Sequence, residues 1–238
     1  MSYFHDALKL LFTVLLICCS EGCVPVETDQ SPAMFDSDLD DATLNIIVDT
    51  SSSFRRTFEM QGGPLMSKVI VDFMQQNAGK DIRITISQMQ ARDNVVLFEG
   101  GANEFRKQFK APESLLELVE SAAEPNTFSP VFVATGKSIR YANEYLAPSL
   151  KPGGRLLTVI YSDMVDTEPN RATRSQEGHQ MLAELERYRG AGGRLALYCV
   201  TEEERTRWFK IVDLAGFERS DVAIFSDRVA DPDLPQWY

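Results

Sequence analysis

The chain has 238 residues, of which 44% are hydrophobic and 25% are charged, and its formal net charge is −11. A chain of this length and apolar content can bury one good hydrophobic core. Its acidic balance argues against nucleic acid as a partner, because phosphate binding needs a basic face.

Residues 1–23 have the pattern of a signal peptide. Lys9 precedes the apolar run Leu10–Cys19. A run of about ten residues is too short to span a bilayer as a permanent helix, and it has the length of an export signal. We therefore expect export to the periplasm or cell envelope.

Three of the four cysteines, Cys18, Cys19 and Cys23, lie at this end of the chain. Their setting resembles a bacterial lipoprotein signal, in which the first mature residue is a lipidated cysteine that anchors the protein to a membrane. Cys19 is the better candidate, because Leu16 stands three residues before it. Cys23 follows Gly22 but has a poorer context. The alternative is an ordinary cleaved signal, with cysteines that only fill the apolar segment.

Residues 24–42 are rich in Pro, Asp, Ser and Thr and show little periodicity, which is typical of a flexible tether. Residues 43–238 are predicted to form the folded domain. Its one cysteine, Cys199, lies in an apolar strand and is expected to be a buried free thiol.

From Thr43 onward, predicted strands alternate with predicted helices. The strands are Leu44–Asp49, Asp81–Ser87, Asn94–Phe98, Arg155–Tyr161, Arg194–Val200 and Asp221–Phe225. The helices are Pro64–Gln76, Pro112–Ala122, Pro130–Leu146, Gln176–Arg189 and Glu202–Ala215, with a loop expected at Gly62-Gly63-Pro64. This alternation predicts a three-layer αβα sandwich around a mostly parallel, doubly wound sheet. The second and third strands are predicted to form a hairpin, which adds an antiparallel edge strand.

The stretch Asp49-Thr50-Ser51-Ser52-Ser53 directly follows the first strand. It places a carboxylate and hydroxyls at the C-terminal end of that strand, where open α/β sheets bind ligands. Hard oxygen ligands without His or Cys suit Mg²⁺ rather than Zn²⁺ or copper.

The spacing Asp49-x-Ser51-x-Ser53 resembles the first metal motif of von Willebrand factor A domains, the metal-ion-dependent adhesion site. Thr127, in a loop before a helix, resembles the family's second motif. Asp163, after the most apolar strand, resembles the third, although Met164 replaces the usual glycine. The three segments follow the family's order, and the resemblance covers about residues 43–226.

The resemblance implies a bound Mg²⁺ or Mn²⁺ contacted directly by Ser51, Ser53 and Thr127. Asp49 and Asp163 would act directly or through water. One position at the ion would stay open for an acidic residue of a protein partner. The expected function is therefore metal-dependent protein binding by an exported protein, without catalysis.

Three alternatives stand beside this hypothesis. The Asp49 segment could simply cap a turn or helix. The protein could be a metal-free scaffold subunit of a cell-envelope assembly. A metal-dependent hydrolase is the third, but hydrolases with an aspartate nucleophile carry an acid/base Asp two residues later, where this chain has Ser51. The P-loop-like Gly136-Lys137-Ser138 lacks the glycine that such a loop needs at the position of Val131.

Overall fold

The computed structural model describes residues 39–89, 95–122 and 129–235, which all belong to one compact unit, Asp38–Tyr238. The signal and lipidation predictions for residues 1–23, including Cys19 and Cys23, lie outside the described residues. So do Thr127 and most of the predicted tether.

Six strands form one sheet. They are β1 (Asp40–Asp49), β2 (Ile82–Met89), β3 (Val95–Gly100), β4 (Leu150–Tyr161), β5 (Arg194–Val200) and β6 (Val222–Ser226). The order across the sheet is β3-β2-β1-β4-β5-β6, with every neighbouring pair parallel except β2 and β3. The predicted fold class is thus confirmed, including the antiparallel hairpin at the edge.

Six helices of seven residues or more cover the two faces in the described part of the chain. They are α1 (Gly63–Gln76), α2 (Ala102–Gln108), α3 (Pro112–Ser121), α4 (Val131–Tyr141), α5 (Arg171–Gly190) and α6 (Glu202–Leu214). Sequence periodicity predicted all of them except α2, which is short and buries only Phe105.

The core lies in two layers, one on each face of the sheet. Alternation along β1 sends Leu44, Ile46 and Val48 toward α1 and α3, while Ile47 faces α4, α5 and α6. β1 is buried along nearly its whole length because it is a central strand with a neighbour on each side. Its C-terminal residue therefore has a fixed position in the middle of the sheet edge.

Several boundaries differ from the sequence-based expectation. β4 begins at Leu150 rather than Arg155, and α5 begins at Arg171 rather than Gln176. β1 begins at Asp40, inside the predicted tether, because the Asp40 carboxylate pairs with Arg83 of β2 at 2.6 Å and extends the sheet. The predicted loop at Gly62-Gly63-Pro64 is wrong: a π-helical segment, Phe58–Gly62, runs directly into α1. These glycines permit close packing, since a Cβ on Gly63 would lie 2.2 Å from a methyl of Leu116.

In residues 39–89, 95–122 and 129–235, no helix combines the length and apolar character needed to cross a membrane. Cys199 is a buried free thiol, as expected.

The turn from α5 into β5 offers a test of this packing. A Cβ on Gly193 would lie 2.4 Å from ring atoms of the fully buried Tyr188, whereas a Cβ on Gly190 would meet nothing within 4 Å. Gly193→Ala is expected to lower the free energy of unfolding by about 1–3 kcal/mol, as overpacking does. Gly190→Ala, the matched control, is expected to be neutral or stabilising by up to about 1 kcal/mol. Urea unfolding of both variants measures the difference, and equal stabilities would contradict the packing described.

Candidate functional site at the edge of the sheet

β1 ends at Asp49, a residue that is only 2% exposed. One oxygen, Oδ1, accepts a hydrogen bond from the backbone N–H of Ser51 at 2.8 Å. The other, Oδ2, accepts from the Ser162 hydroxyl at 2.8 Å. The first contact closes a local turn, so the turn-capping alternative describes part of what Asp49 does. The second ties the end of β1 to the end of β4.

Ser51 and Ser53 carry hydroxyls of this turn. Their Oγ atoms lie 3.2 Å apart, and Ser51 is half-buried while Ser53 is exposed. The backbone continues at once into the short helical turn before α1, with Phe54 buried beneath it. Two hydroxyl oxygens are thus held close together beside the Asp49 turn.

Thr50 points to the neighbouring strand instead. Its Oγ1 accepts a hydrogen bond at 2.8 Å from Nε2 of Gln88, a residue near the end of β2 that is buried with it. The same amide nitrogen donates to the carbonyl oxygen of Ala122 at 2.9 Å. These contacts fix the loop that carries the serines against the sheet.

Asp163 lies just beyond β4 on the same edge, because Val48 of β1 pairs with Tyr161 of β4. Its Oδ1 accepts from the backbone N–H of Val165 at 2.9 Å, and its side chain is partly exposed. Burial, with a smaller contribution from the negative charges of Asp49, Glu204 and Asp227, raises the pKa of Asp163 to about 6, against the opposing effect of the hydrogen bond from the Val165 N–H. Asp49 and Asp163 thus lie at the ends of two neighbouring parallel strands, β1 and β4.

Met164 takes the place of the glycine in the motif. It adopts a left-handed φ of 61°, which a side chain disfavours by about 1–2 kcal/mol. Its side chain is fully buried in the core layer between the sheet and the helices α4, α5 and α6. This burial offsets the strain, so the chain makes the turn without the glycine.

Burial also raises the pKa of Asp49, against the opposing effect of its hydrogen bonds from Ser51 and Ser162. Two carboxylates whose charged forms are both disfavoured lie at one edge of the sheet. A cation between them would stabilise both charges.

The donor set fits a hard divalent cation, since it offers carboxylate and hydroxyl oxygens only. Within the described part of the chain, no group of three or more His, Cys, Asp or Glu side chains could hold a metal ion. An ion at this edge would therefore depend on hydroxyls and water beside the two carboxylates, which is a coordination that Mg²⁺ commonly accepts.

The structure places four of the five predicted metal residues at one edge of the sheet: Asp49, Ser51, Ser53 and Asp163. Sequence reasoning missed Ser162 and Asp166. Ser162 donates to Asp49 and accepts from the backbone N–H of Met164 at 2.9 Å. Its place directly before Asp163, at the end of a buried strand, is the signal that could have identified it.

Comparisons with known proteins give likenesses of fold only. No family model matches the chain, and no curated protein matches it. Solved structures that resemble it include proximal thread matrix protein 1 from the mussel byssus (TM-score 0.45), manganese-loaded TRAP protein of Plasmodium vivax (0.46) and the PilB minor pilin of Streptococcus sanguinis (0.49).

Each of these three structures is 12% identical to the chain and matches 78–79% of it. The chain in turn covers 41% of the mussel protein, 68% of the TRAP chain and 57% of the pilin. At this identity and with TM-scores under 0.5, the likenesses say nothing about what this chain binds.

The raised pKa of Asp163 predicts a pH-dependent stability without metal. The folded-state pKa of about 6 lies above the ordinary 3.8, so this group favours the folded state at low pH. That contribution is lost as the pH rises through about 6. Asp163→Asn removes the charge and keeps an oxygen for the Val165 N–H. In EDTA at pH 7.5 the variant should gain stability relative to wild type.

The gain should be about 1 kcal/mol larger at pH 7.5 than at pH 4.5, a value reduced for the partial exposure of Asp163. Urea unfolding at a series of pH values measures it. A difference between variant and wild type that does not change with pH would contradict the electrostatics described.

Proposed function

We propose that this chain is a protein-binding domain that contacts its partner through a divalent cation, Mg²⁺ or Mn²⁺, at the C-terminal edge of the sheet. The proposal is supported by the placement of the buried Asp49 carboxylate, the neighbouring hydroxyls of Ser51 and Ser53, and the Asp163 carboxylate at the ends of two adjacent central strands. Oxygen donors of this kind select hard cations.

The residues would divide the work by their exposure. Ser51 and Ser53 are the more exposed residues and would contact the ion directly. Thr127, which lies outside the described residues, would join them, as its resemblance to the second motif implies. Asp49 is buried, and both of its carboxylate oxygens already accept hydrogen bonds. It would therefore stabilise the ion from the buried side of the site, directly or through water. Asp163 would supply the second negative charge.

The bound cation would supply a positive charge, and an acidic side chain of a partner could complete its coordination. Without it, the edge carries two carboxylates and would repel such a group. This sign reversal makes partner binding depend on the metal. Binding rather than catalysis is favoured because Ser51 stands where a hydrolase with an aspartate nucleophile needs its acid/base residue.

A second candidate function, a metal-free scaffold of the same fold, is favoured by one observation. Both oxygens of Asp49 have hydrogen-bond donors within the protein, so its carboxylate is satisfied without an ion. The two candidates differ in whether the edge takes up metal at all.

Calorimetric titration with MnCl₂ separates these two candidates. The wild type should bind Mn²⁺, and Asp49→Asn and Asp163→Asn should each weaken binding at least about tenfold, since a ligand charge is lost. Asn is chosen at position 49 because alanine would leave two donors unpaired. Asp213→Asn, an exposed residue of α6, is the charge-matched control and should bind as wild type does. A wild type that takes up no Mn²⁺ would support the scaffold.

Partner binding is tested by incubating immobilised wild type and Asp163→Asn with envelope extract in Mg²⁺ or in EDTA. A partner retained by wild type in Mg²⁺ should be lost in EDTA and on the variant. Retention under all conditions would show that the fold binds without metal.

We also propose export, with lipid attached at Cys19, or less favourably at Cys23, as the anchor. The support is the sequence pattern of residues 1–23. Mass spectrometry of the N-terminus of the mature protein should find a lipidated cysteine as its first residue. An unmodified chain that begins after residue 19 would rule out Cys19.

A further inference from the structure

The loop that follows Asp163 is anchored by a second aspartate that the metal motif does not include. Asp166 is 7% exposed as a residue, and its side chain is fully buried. A buried carboxylate of this kind is stable only when other groups compensate its charge. Its contacts therefore show what it holds in place.

Each contact of the Asp166 carboxylate goes to a different part of the fold. Oδ2 accepts from the backbone N–H of Phe132, in the first turn of α4, at 3.0 Å. Oδ1 accepts from the N–H of Glu168 at 2.9 Å and lies 3.2 Å from Nε of Arg174 in α5. The favourable placement of a carboxylate at the N-terminus of α4 adds to these contacts.

Neighbouring atoms reinforce the same connection. Thr167 Oγ1 accepts from the N–H of Ser129 at 2.7 Å, and the N–H of Thr167 donates to the carbonyl oxygen of Ser129 at 3.1 Å. Arg174 also donates through Nη2 to the carbonyl oxygens of Asp166 and Glu168. The loop after β4 is thus attached to the start of α4 and to the first turns of α5.

This attachment bears on Asp163, three residues earlier. Between the two aspartates lies Met164 with its left-handed backbone, a conformation that persists only where the surroundings hold it. Asp163 is fixed on its other side by β4, and its carbonyl oxygen accepts from the N–H of Thr201 at 3.1 Å. The Asp166 contacts complete the restraint of this turn.

We propose that Asp166 is a positioning residue of the candidate cation site: it holds the strained turn through Met164, and so keeps Asp163 in place at the sheet edge that also carries Asp49, Ser51 and Ser53. This inference rests on the proposed function, because it concerns the geometry of that same site. Asp166 itself would not contact the ion.

The test compares Asp166→Asn with a matched buried carboxylate. Glu184 is 9% exposed and accepts from Arg140 Nε at 2.8 Å and Asn143 Nδ2 at 3.0 Å. Glu184 lies about 20 Å along the axis of α5 from its first residue, Arg171, given a rise of 1.5 Å per residue. It is therefore well separated from the Asp166 contacts at the start of that helix. Asp166→Asn and Glu184→Gln should both lower the melting temperature, since each weakens a buried polar network. Only Asp166→Asn should raise the calorimetric dissociation constant for Mn²⁺, by at least about fivefold.

A metal-free melting temperature that falls in both variants, with Mn²⁺ affinity unchanged in both, would overturn the positioning role. A wild type that does not bind Mn²⁺ would instead overturn the proposed function, so the two failures are distinct. If Asp166→Asn does not fold, the Thr167→Val variant tests the proposal instead. It removes the acceptor for the Ser129 N–H from an exposed side chain and should raise the dissociation constant about threefold, whereas an unchanged value would overturn the proposal.

Discussion

The hydrogen bond from the Ser162 hydroxyl to the buried Asp49 carboxylate joins the two central parallel strands where they end. It fixes the relative position of two loops that leave the sheet in different directions. One carries Ser51 and Ser53 toward α1, and the other carries Asp163 and Asp166 toward α5. Because the carboxylate is desolvated, the contact is charge-assisted in a low-dielectric setting and is costly to leave unmade. The geometry of the candidate site depends on this bond.

Charge and burial are balanced differently in the carboxylates of this edge. Asp49 is buried and accepts a hydrogen bond at each carboxylate oxygen. Asp163 is partly exposed, and its pKa is raised to about 6. Asp166 is buried and compensated by backbone N–H groups and Arg174. Asp49 and Asp166 stabilise the fold as well as adding negative charge to the site, whereas the Asp163 carboxylate could still bind a cation. This division explains how the edge can be folded without metal and still be suited to bind one.

The fold class and the placement of Asp49 and Asp163 at the same edge of the sheet could be predicted from the sequence, because both follow from local patterns. Apolar strand runs alternating with helical periodicity dictate a parallel sheet, and parallel sheets bring strand ends to one edge. Features set by tertiary contacts were not predictable in this way. Gly62 and Gly63 suggested a loop, yet their small size serves a close helix contact. The role of Asp166 depends on where α4 begins relative to β4, and no spacing in the chain encodes that distance. The sequence showed Met164 in place of the family's glycine, but it could not show that burial of this side chain offsets the strain of its left-handed backbone.

A crystal of the full-length protein soaked in MnCl₂ and measured at the manganese absorption edge tests the central claim most directly. The account predicts one anomalous difference peak within coordination distance of the Ser51 and Ser53 hydroxyls, beside Asp49 and Asp163, at about 2.0–2.3 Å from its nearest oxygens. A fully soaked crystal that shows no peak at this edge, with Asp49 and Ser162 still hydrogen-bonded as before, would contradict it.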